Sequence, residues 1–85
     1  MNLLFTEEAW TDYLFWRQND KKILKKINDL IKEIKRRPFE GTGKPESLKY
    51  HLQGCWARRI DLEHRLVYEP QTETLLIISC RYHYE

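Results

Sequence analysis

Glu46, Arg59, Arg65, Arg81 and His83 are the side chains of this sequence that could share one reaction. Glu46 follows Pro45 in a glycine-containing stretch and stands between Lys44 and Lys49. A carboxylate can accept a proton, and a histidine, with an unperturbed pKa of about 6.5, can donate one near neutral pH. Arginine presents a rigid fork of donors and stays charged at physiological pH, which suits a phosphate. Such a set can cleave RNA without a metal. The base takes the proton of the ribose 2′-hydroxyl, which attacks the adjacent phosphate. Arginine stabilises the pentacovalent transition state, and the acid protonates the departing 5′-oxygen. DNA lacks that hydroxyl. Taken singly, the same residues read as a solvated loop glutamate, arginines paired with Asp61 or Glu63, and an exposed histidine near the chain end. His51, in a polar stretch, and His64, in a turn, read as surface residues. Three dispersed histidines, no carboxylate cluster and no paired-cysteine spacing point to no metal and no cofactor.

These residues have to be positioned by strands, and strand parity gives an expectation. The pattern predicts strands over 2–5, 56–62, 65–69 and 74–82, with a tight turn at Glu63-His64 and another at 70–73. If Trp56, Ile60 and Leu62 face inward, Arg59 and Asp61 face outward. Leu66 and Tyr68 inward put Arg65 and Val67 outward. Leu76, Ile78 and Cys80 inward put Arg81 and His83 outward. Arg59, Arg65, Arg81 and His83 would then share one open face.

Two helices precede this sheet. Thr6 caps the first, over about 7–18, with Glu7 and Glu8 at its positive end. Trp10, Tyr13 and Leu14 form its apolar stripe, with Ala9 and Trp16 at the margin. Trp10 reads as packing inside more readily than Trp16; either could supply surplus apolar surface. Asn19-Asp20 breaks and recaps the chain into a second helix over about 20–36. Ile23, Ile27, Leu30, Ile31 and Ile34 keep helical spacing, opposite Lys21, Lys22, Lys25, Lys32 and Lys35. Pro38 ends that helix and opens a shaped loop over 38–47, in which Phe39 looks buried. The fold class is α+β: an N-terminal strand and a two-helix hairpin on one face of a mainly antiparallel sheet, the other face open.

Size and composition narrow the rest. Eighty-five residues make one domain, 1–85. Hydrophobic residues are 41%, which excludes a disordered chain, and no apolar run approaches the ~18 residues of a membrane span. Acidic residues at the N-terminus do not fit a signal peptide, and a cytoplasmic protein with reduced Cys55 and Cys80 is expected. The net charge of +2 hides three zones. Residues 1–20 are acidic, residues 21–65 carry 13 basic against 6 acidic side chains, and residues 66–85 are acidic again. A basic middle is how a polyanion would be met, although a solvated helix face has the same composition.

The runs PFEGTGKPESLK (38–49), RRIDLEHRLVY (58–68) and RYHY (81–84) resemble those of the YoeB-like toxins in the RelE/ParE superfamily. The resemblance spans essentially the whole chain, including the Glu-Glu-Ala-Trp opening. It implies a RelE-like fold and an mRNA interferase that cuts the codon exposed in the ribosomal A site. It implies Glu46 as general base, His83 as general acid and Arg65 as transition-state stabiliser. Arg59 matches a phosphate-contacting arginine, Lys49 a basic residue beside the site, and Tyr84 a terminal tyrosine that holds RNA. A YefM-like antitoxin with an acidic segment and a toxin homodimer are the implied partners, besides ribosome and mRNA. Two departures stand out: Glu85 follows the terminal tyrosine, and Cys55 stands where an aromatic is usual. Other readings are a ParE-like poison of a DNA topoisomerase, sharing the fold, and an RNA-binding module without catalysis.

Overall fold

The fold is taken from a computed structural model that describes residues 1–83. Strand β1 (Asn2–Phe5) leads into helix α1 (Glu7–Asn19). The Thr6 side chain accepts from the Ala9 amide at 3.0 Å and donates to the Ile78 carbonyl at 2.8 Å, so one residue starts the helix and ties it to the sheet. Asp20 closes α1 through its own N–H to the Trp16 carbonyl. Its carboxylate then accepts from the Lys22 and Ile23 amides and opens α2 (Lys21–Arg36). One residue performs both caps, and the hairpin needs no longer loop.

The sheet contains β2 (Glu46–Ser47), β3 (Trp56–Arg59), β4 (Arg65–Pro70) and β5 (Thr74–Ser79), in the order β1-β5-β4-β3-β2. The β2-β3-β4-β5 pairs are antiparallel; β1 joins β5 in parallel. The two helices cover one face. Ile27, Leu30, Ile31 and Ile34 of α2 meet Leu66, Tyr68, Leu75 and Ile77 of the sheet. Fully burying an aliphatic side chain of this size is worth about 1.5–3 kcal/mol, so this face supplies most of the fold's cohesion.

The α+β expectation holds, with corrections. Strand β3 ends at Arg59, not at residue 62, and Leu62 is 90% exposed because it lies in the 60–64 turn. Leu75 and Ile77 of β5 point at the helices, while Ile78 packs on the opposite face, the reverse of the expected parity. Residues 74–78 are apolar on nearly every position, so alternation alone could not set the phase, and the register shifts between Val67 and Tyr68. Trp16 is 5% exposed and donates from Nε1 to the Cys80 carbonyl at 2.8 Å, whereas Trp10 is 49% exposed, again reversing the expectation. Phe39 is exposed against the Trp56 ring. The far face is not fully open: Leu48, Cys55, Ala57 and Val67 form a second small core there, with Leu52 and Ile78 at its edge. Cys55 thus has a packing role.

One polar group is built into the helix-covered face. Arg58 follows the parity of Trp56 and Ile60 and is fully buried. Its Nη1 donates to the Glu33 carboxylate of α2 and to the Thr42 carbonyl. Nη2 donates to the carbonyls of Arg37 at 2.5 Å and Glu40 at 2.8 Å. Nε reaches the Tyr68 hydroxyl at 3.2 Å, and that hydroxyl donates to the Pro38 carbonyl at 2.7 Å. The loop after α2 is therefore wrapped around a single guanidinium. Arg58→Met should cost at least about 3 kcal/mol in urea unfolding, because it strands several buried acceptors together. Arg58→Lys should recover less than half of that loss, since one ammonium cannot span the same partners.

Candidate functional site

Glu46 reaches the sheet because the wrapped loop is pinned to β3. The Gly43 carbonyl accepts from the Arg59 amide at 2.7 Å. Gly43 has φ +88°, and an added Cβ would lie 2.9 Å from the Arg59 carbonyl oxygen, so only glycine passes there without strain. Three residues later Glu46 pairs with Ala57 on β3. Ala57 in turn pairs with Val67, and Val67 with Ser79. Arg59 pairs with Arg65 two residues along β3 and β4. Alternation puts Glu46, Arg59 and Arg65 on the face away from the helices, as expected for the two arginines.

Arg65 is half-buried at the start of β4, and its Nη1 donates to the carbonyls of Asp61 at 2.9 Å and His64 at 3.1 Å. The 60–64 turn that it grips is organised by Asp61, whose Oδ1 accepts from the amides of Glu63 at 2.8 Å and His64 at 2.7 Å. Lys49 is exposed just before the short 3₁₀ turn Tyr50–Leu52, and a cleft of about 280 Å³ runs along residues 46–52.

The last described residues are held from three sides. The Cys80 amide donates to the Asp12 carboxylate at 3.0 Å, and its carbonyl accepts from Trp16. The Tyr82 carbonyl accepts from the Arg65 amide at 2.9 Å, and the Tyr82 amide donates to His64 Nδ1 at 2.8 Å. Tyr82 has φ +64°, so the chain reverses there. On one side of that reversal Arg81 lies 3.5 Å above the Phe15 ring of α1. On the other, His83 lines a groove of about 330 Å³ with Glu8, His51, Leu52, Val67, Ile78 and Ser79.

The structure thus brings Glu46, Arg59 and Arg65 to one face and His83 to a groove that Val67 and Ser79 of the same cross-strand row also line. Glu46 and Val67 are two strand spacings apart, roughly 10 Å, and Ala57 and Val67 of that row are covered by the second small core. Arg81 does not join them: its cation is committed to the aromatic side chains of α1. The expected place on the shared face fails because the strand ends at Ser79 and parity ends with it. Tyr84 and Glu85 lie outside the described residues. His51 is exposed in the groove, but His64 is 8% exposed and not a surface residue. Its ring meets Trp16 edge-on at 4.8 Å. Asp12, His64 and Arg58 were missed as positioning groups. A signal existed for two of them: Arg58 shares the parity of Trp56 and Ile60, and Asp12 lies between Ala9 and Trp16 on one helical face. Among the described residues no group of three or more His, Cys, Asp or Glu side chains is placed to hold a metal ion. Nor is any helix among them long and apolar enough to cross a membrane.

Residues 5–84 match the family model of the YoeB-like toxins of bacterial type II toxin–antitoxin systems. The chain is 60% identical over 84 residues to Toxin YoeB of Escherichia coli strain K12, covering 99% of this chain and 100% of that protein. A solved YoeB/ParE toxin from Agrobacterium tumefaciens superposes with a TM-score of 0.96 at 49% identity, over 99% of this chain and 100% of the other. A Staphylococcus aureus YoeB dimer superposes with a TM-score of 0.93 at 50% identity. The heterotetrameric YoeB–YefM complex from the same organism does so at 0.91 and 50%. Each of these two covers 99% of this chain and 98% of the matched chain.

The carboxylates that brace the site titrate in opposite directions. The Thr42 amide does most to hold Glu33 below its ordinary range; burial opposes it, and the Arg58 guanidinium and the Thr42 hydroxyl assist. Burial pushes Asp61 up, yet the His64 and Glu63 amides outweigh it and leave the carboxyl low. Burial raises Asp12, only partly offset by the Cys80 amide. Burial, with Asp12 adding, pushes the Cys80 thiol up to about 12, so it stays protonated. For Glu33 the folded value lies below the unfolded one. Its stabilisation is present in full above 4.5, the ordinary glutamate value, and is lost as pH falls through the lowered folded value. Acidification below 4.5 should therefore weaken wild-type stability. Glu33→Gln should be less stable at neutral pH and should flatten that acid slope, read from urea midpoints across pH.

Proposed function

The chain belongs to the YoeB-like toxins of bacterial type II toxin–antitoxin systems, and from that premise we propose that it is an endoribonuclease that cuts mRNA in the ribosomal A site. The observation that carries this reading is the shared sheet face, with Glu46, Arg59 and Arg65 on it and His83 in the groove over the same row. Glu46 takes the 2′-hydroxyl proton of the bound nucleotide. The freed oxygen attacks the adjacent phosphorus, and the bond to the 5′-oxygen breaks as His83 gives it a proton. The products are a 2′,3′-cyclic phosphate and a 5′-hydroxyl. Arg65 stabilises the charge on the phosphorane oxygens; its Nη1 bonds to the 60–64 turn hold it there without reorganisation. Arg59 and Lys49 hold the flanking phosphates, and Tyr84 holds the RNA. The reaction draws on no metal or other cofactor. Arg81, by contrast, serves the fold of the C-terminal segment.

By analogy with the Staphylococcus aureus YoeB–YefM complex, the antitoxin of this reading is a YefM-like protein; an acidic segment of it is the chemistry that would cover the basic groove. The dimer of that organism's toxin supports a homodimer here. Leu3, Leu4 and half-exposed Trp10 offer it apolar surface. The exposed lysines of α2 meet ribosomal RNA, so binding should weaken with salt. The working compartment is the cytoplasm, where translation occurs.

Translating ribosomes incubated with the protein should yield mRNA ends mapping to the A site. Glu46→Ala and His83→Ala should each cut at least about 100-fold more slowly and relieve growth arrest while remaining folded. Unchanged toxicity in both folded variants would sink the mechanism.

A further inference from the structure

His64 faces inward from the 60–64 turn, and the proposed chemistry has no direct use for it. It is buried against Trp16 on one side, and the Tyr82 ring lies 5.9 Å away on another. Its Nδ1 accepts the Tyr82 amide at 2.8 Å, which requires that nitrogen to carry no proton. The ring proton then sits on Nε2, facing the Glu63 carboxylate at 3.5 Å. The next residue, Arg65, gives its amide to the Tyr82 carbonyl at 2.9 Å. Residues 64 and 65 therefore grip Tyr82 at both its N–H and its C=O. Tyr82 is held at φ +64°, a left-handed conformation that an aromatic residue seldom adopts unless its surroundings impose it. That reversal sends Arg81 toward α1 and His83 into the groove.

We propose that His64 is a positioning residue for His83, acting through the Tyr82 amide. The proposal rests on the nuclease reading for its effect on rate, but not for its geometry. Without the Nδ1 acceptor the Tyr82 amide loses its partner and the left-handed turn loses one of its two holds. His83 then samples positions away from the leaving oxygen, and a displacement of about 1 Å at a proton donor can cost on the order of 100-fold in rate. Affinity for the ribosome, set largely by the lysines of α2 together with Arg59 and Lys49, is left in place. Because Arg65 directly follows His64, one short stretch positions both the arginine that stabilises the transition state and the acid.

Two variants of the full chain separate this role from simple packing. His64→Phe keeps a ring against Trp16 and removes the acceptor. His64→Asn gives up the ring but places an amide oxygen where Nδ1 sits. On programmed ribosomes, His64→Phe should slow single-turnover cleavage at least about tenfold with ribosome affinity within about twofold of wild type. His64→Asn should recover most of the rate. Hydrogen exchange at the Tyr82 amide should quicken in His64→Phe and stay protected in His64→Asn. A folded His64→Phe protein that cleaves at the wild-type rate would overturn the proposal, as would a His64→Asn protein no faster than His64→Phe. If the wild-type chain itself fails to cleave, the nuclease reading falls. Exchange at Tyr82 and the ring resonances of His83 then decide: both unchanged in His64→Phe overturns the positioning role, and both altered supports it.

Discussion

Arg58 occupies the place where sheet, second helix and active loop meet, and its side chain has no route to water. A buried guanidinium is tolerated only when its donors are all spoken for. Here they are distributed over Glu33 of α2, three carbonyls of residues 37–42 and the Tyr68 hydroxyl. The arrangement works in both directions. The loop carbonyls neutralise what would be a costly buried charge, and the charge gives a glycine-containing loop one conformation. That conformation brings Gly43 against β3 and Glu46 onto the sheet.

The C-terminal segment is fixed by a second, separate set of bonds. Asp12, Trp16, His64 and the Arg65 amide hold Cys80 and Tyr82 through their backbone groups. The proposed base and acid thus arrive on opposite sides of the same cross-strand row, each at the end of a short segment with its own clamp. Neither residue lies deep in a regular element. In a domain of 85 residues with a modest core, buried polar bonds of this kind supply the rigidity that a larger scaffold would provide through packing.

Acidic and basic residues have different duties in this frame. Asp12, Asp20, Glu33 and Asp61 each accept backbone or arginine donors and shape the chain. Lys21, Lys22, Lys25, Lys32 and Lys35 of α2 are exposed, and Lys26 is half-buried. The cancellation that leaves a net charge of only +2 therefore combines structural carboxylates with a surface rich in exposed cations. Total charge says little about such a molecule, because several of its carboxylates are engaged within the fold.

Helices α1 and α2, strands β1, β3, β4 and β5 and the family were legible from the sequence, since capping residues, helical spacing, β-rich stretches and three specific runs each encode them locally, whereas β2 lies in the stretch that reads as a loop. Arg59 and Arg65 on one face followed from alternation, and the structure agrees. The phase of β5 did not follow, because Leu75, Leu76, Ile77 and Ile78 are apolar in succession and both sheet faces carry a core. Trp16 and Trp10 exchanged roles for a related reason: helical spacing gives a stripe but not the rotation at which it docks. The destination of Arg81, the burial of His64 and the turn at Tyr82 depend on partners more than fifteen residues away. Local pattern determined which elements form and which side chains have the chemistry. Only the tertiary structure decided where each one points, because long-range hydrogen bonds to Asp12, Arg58 and His64 set the path of the segments that carry Glu46 and His83.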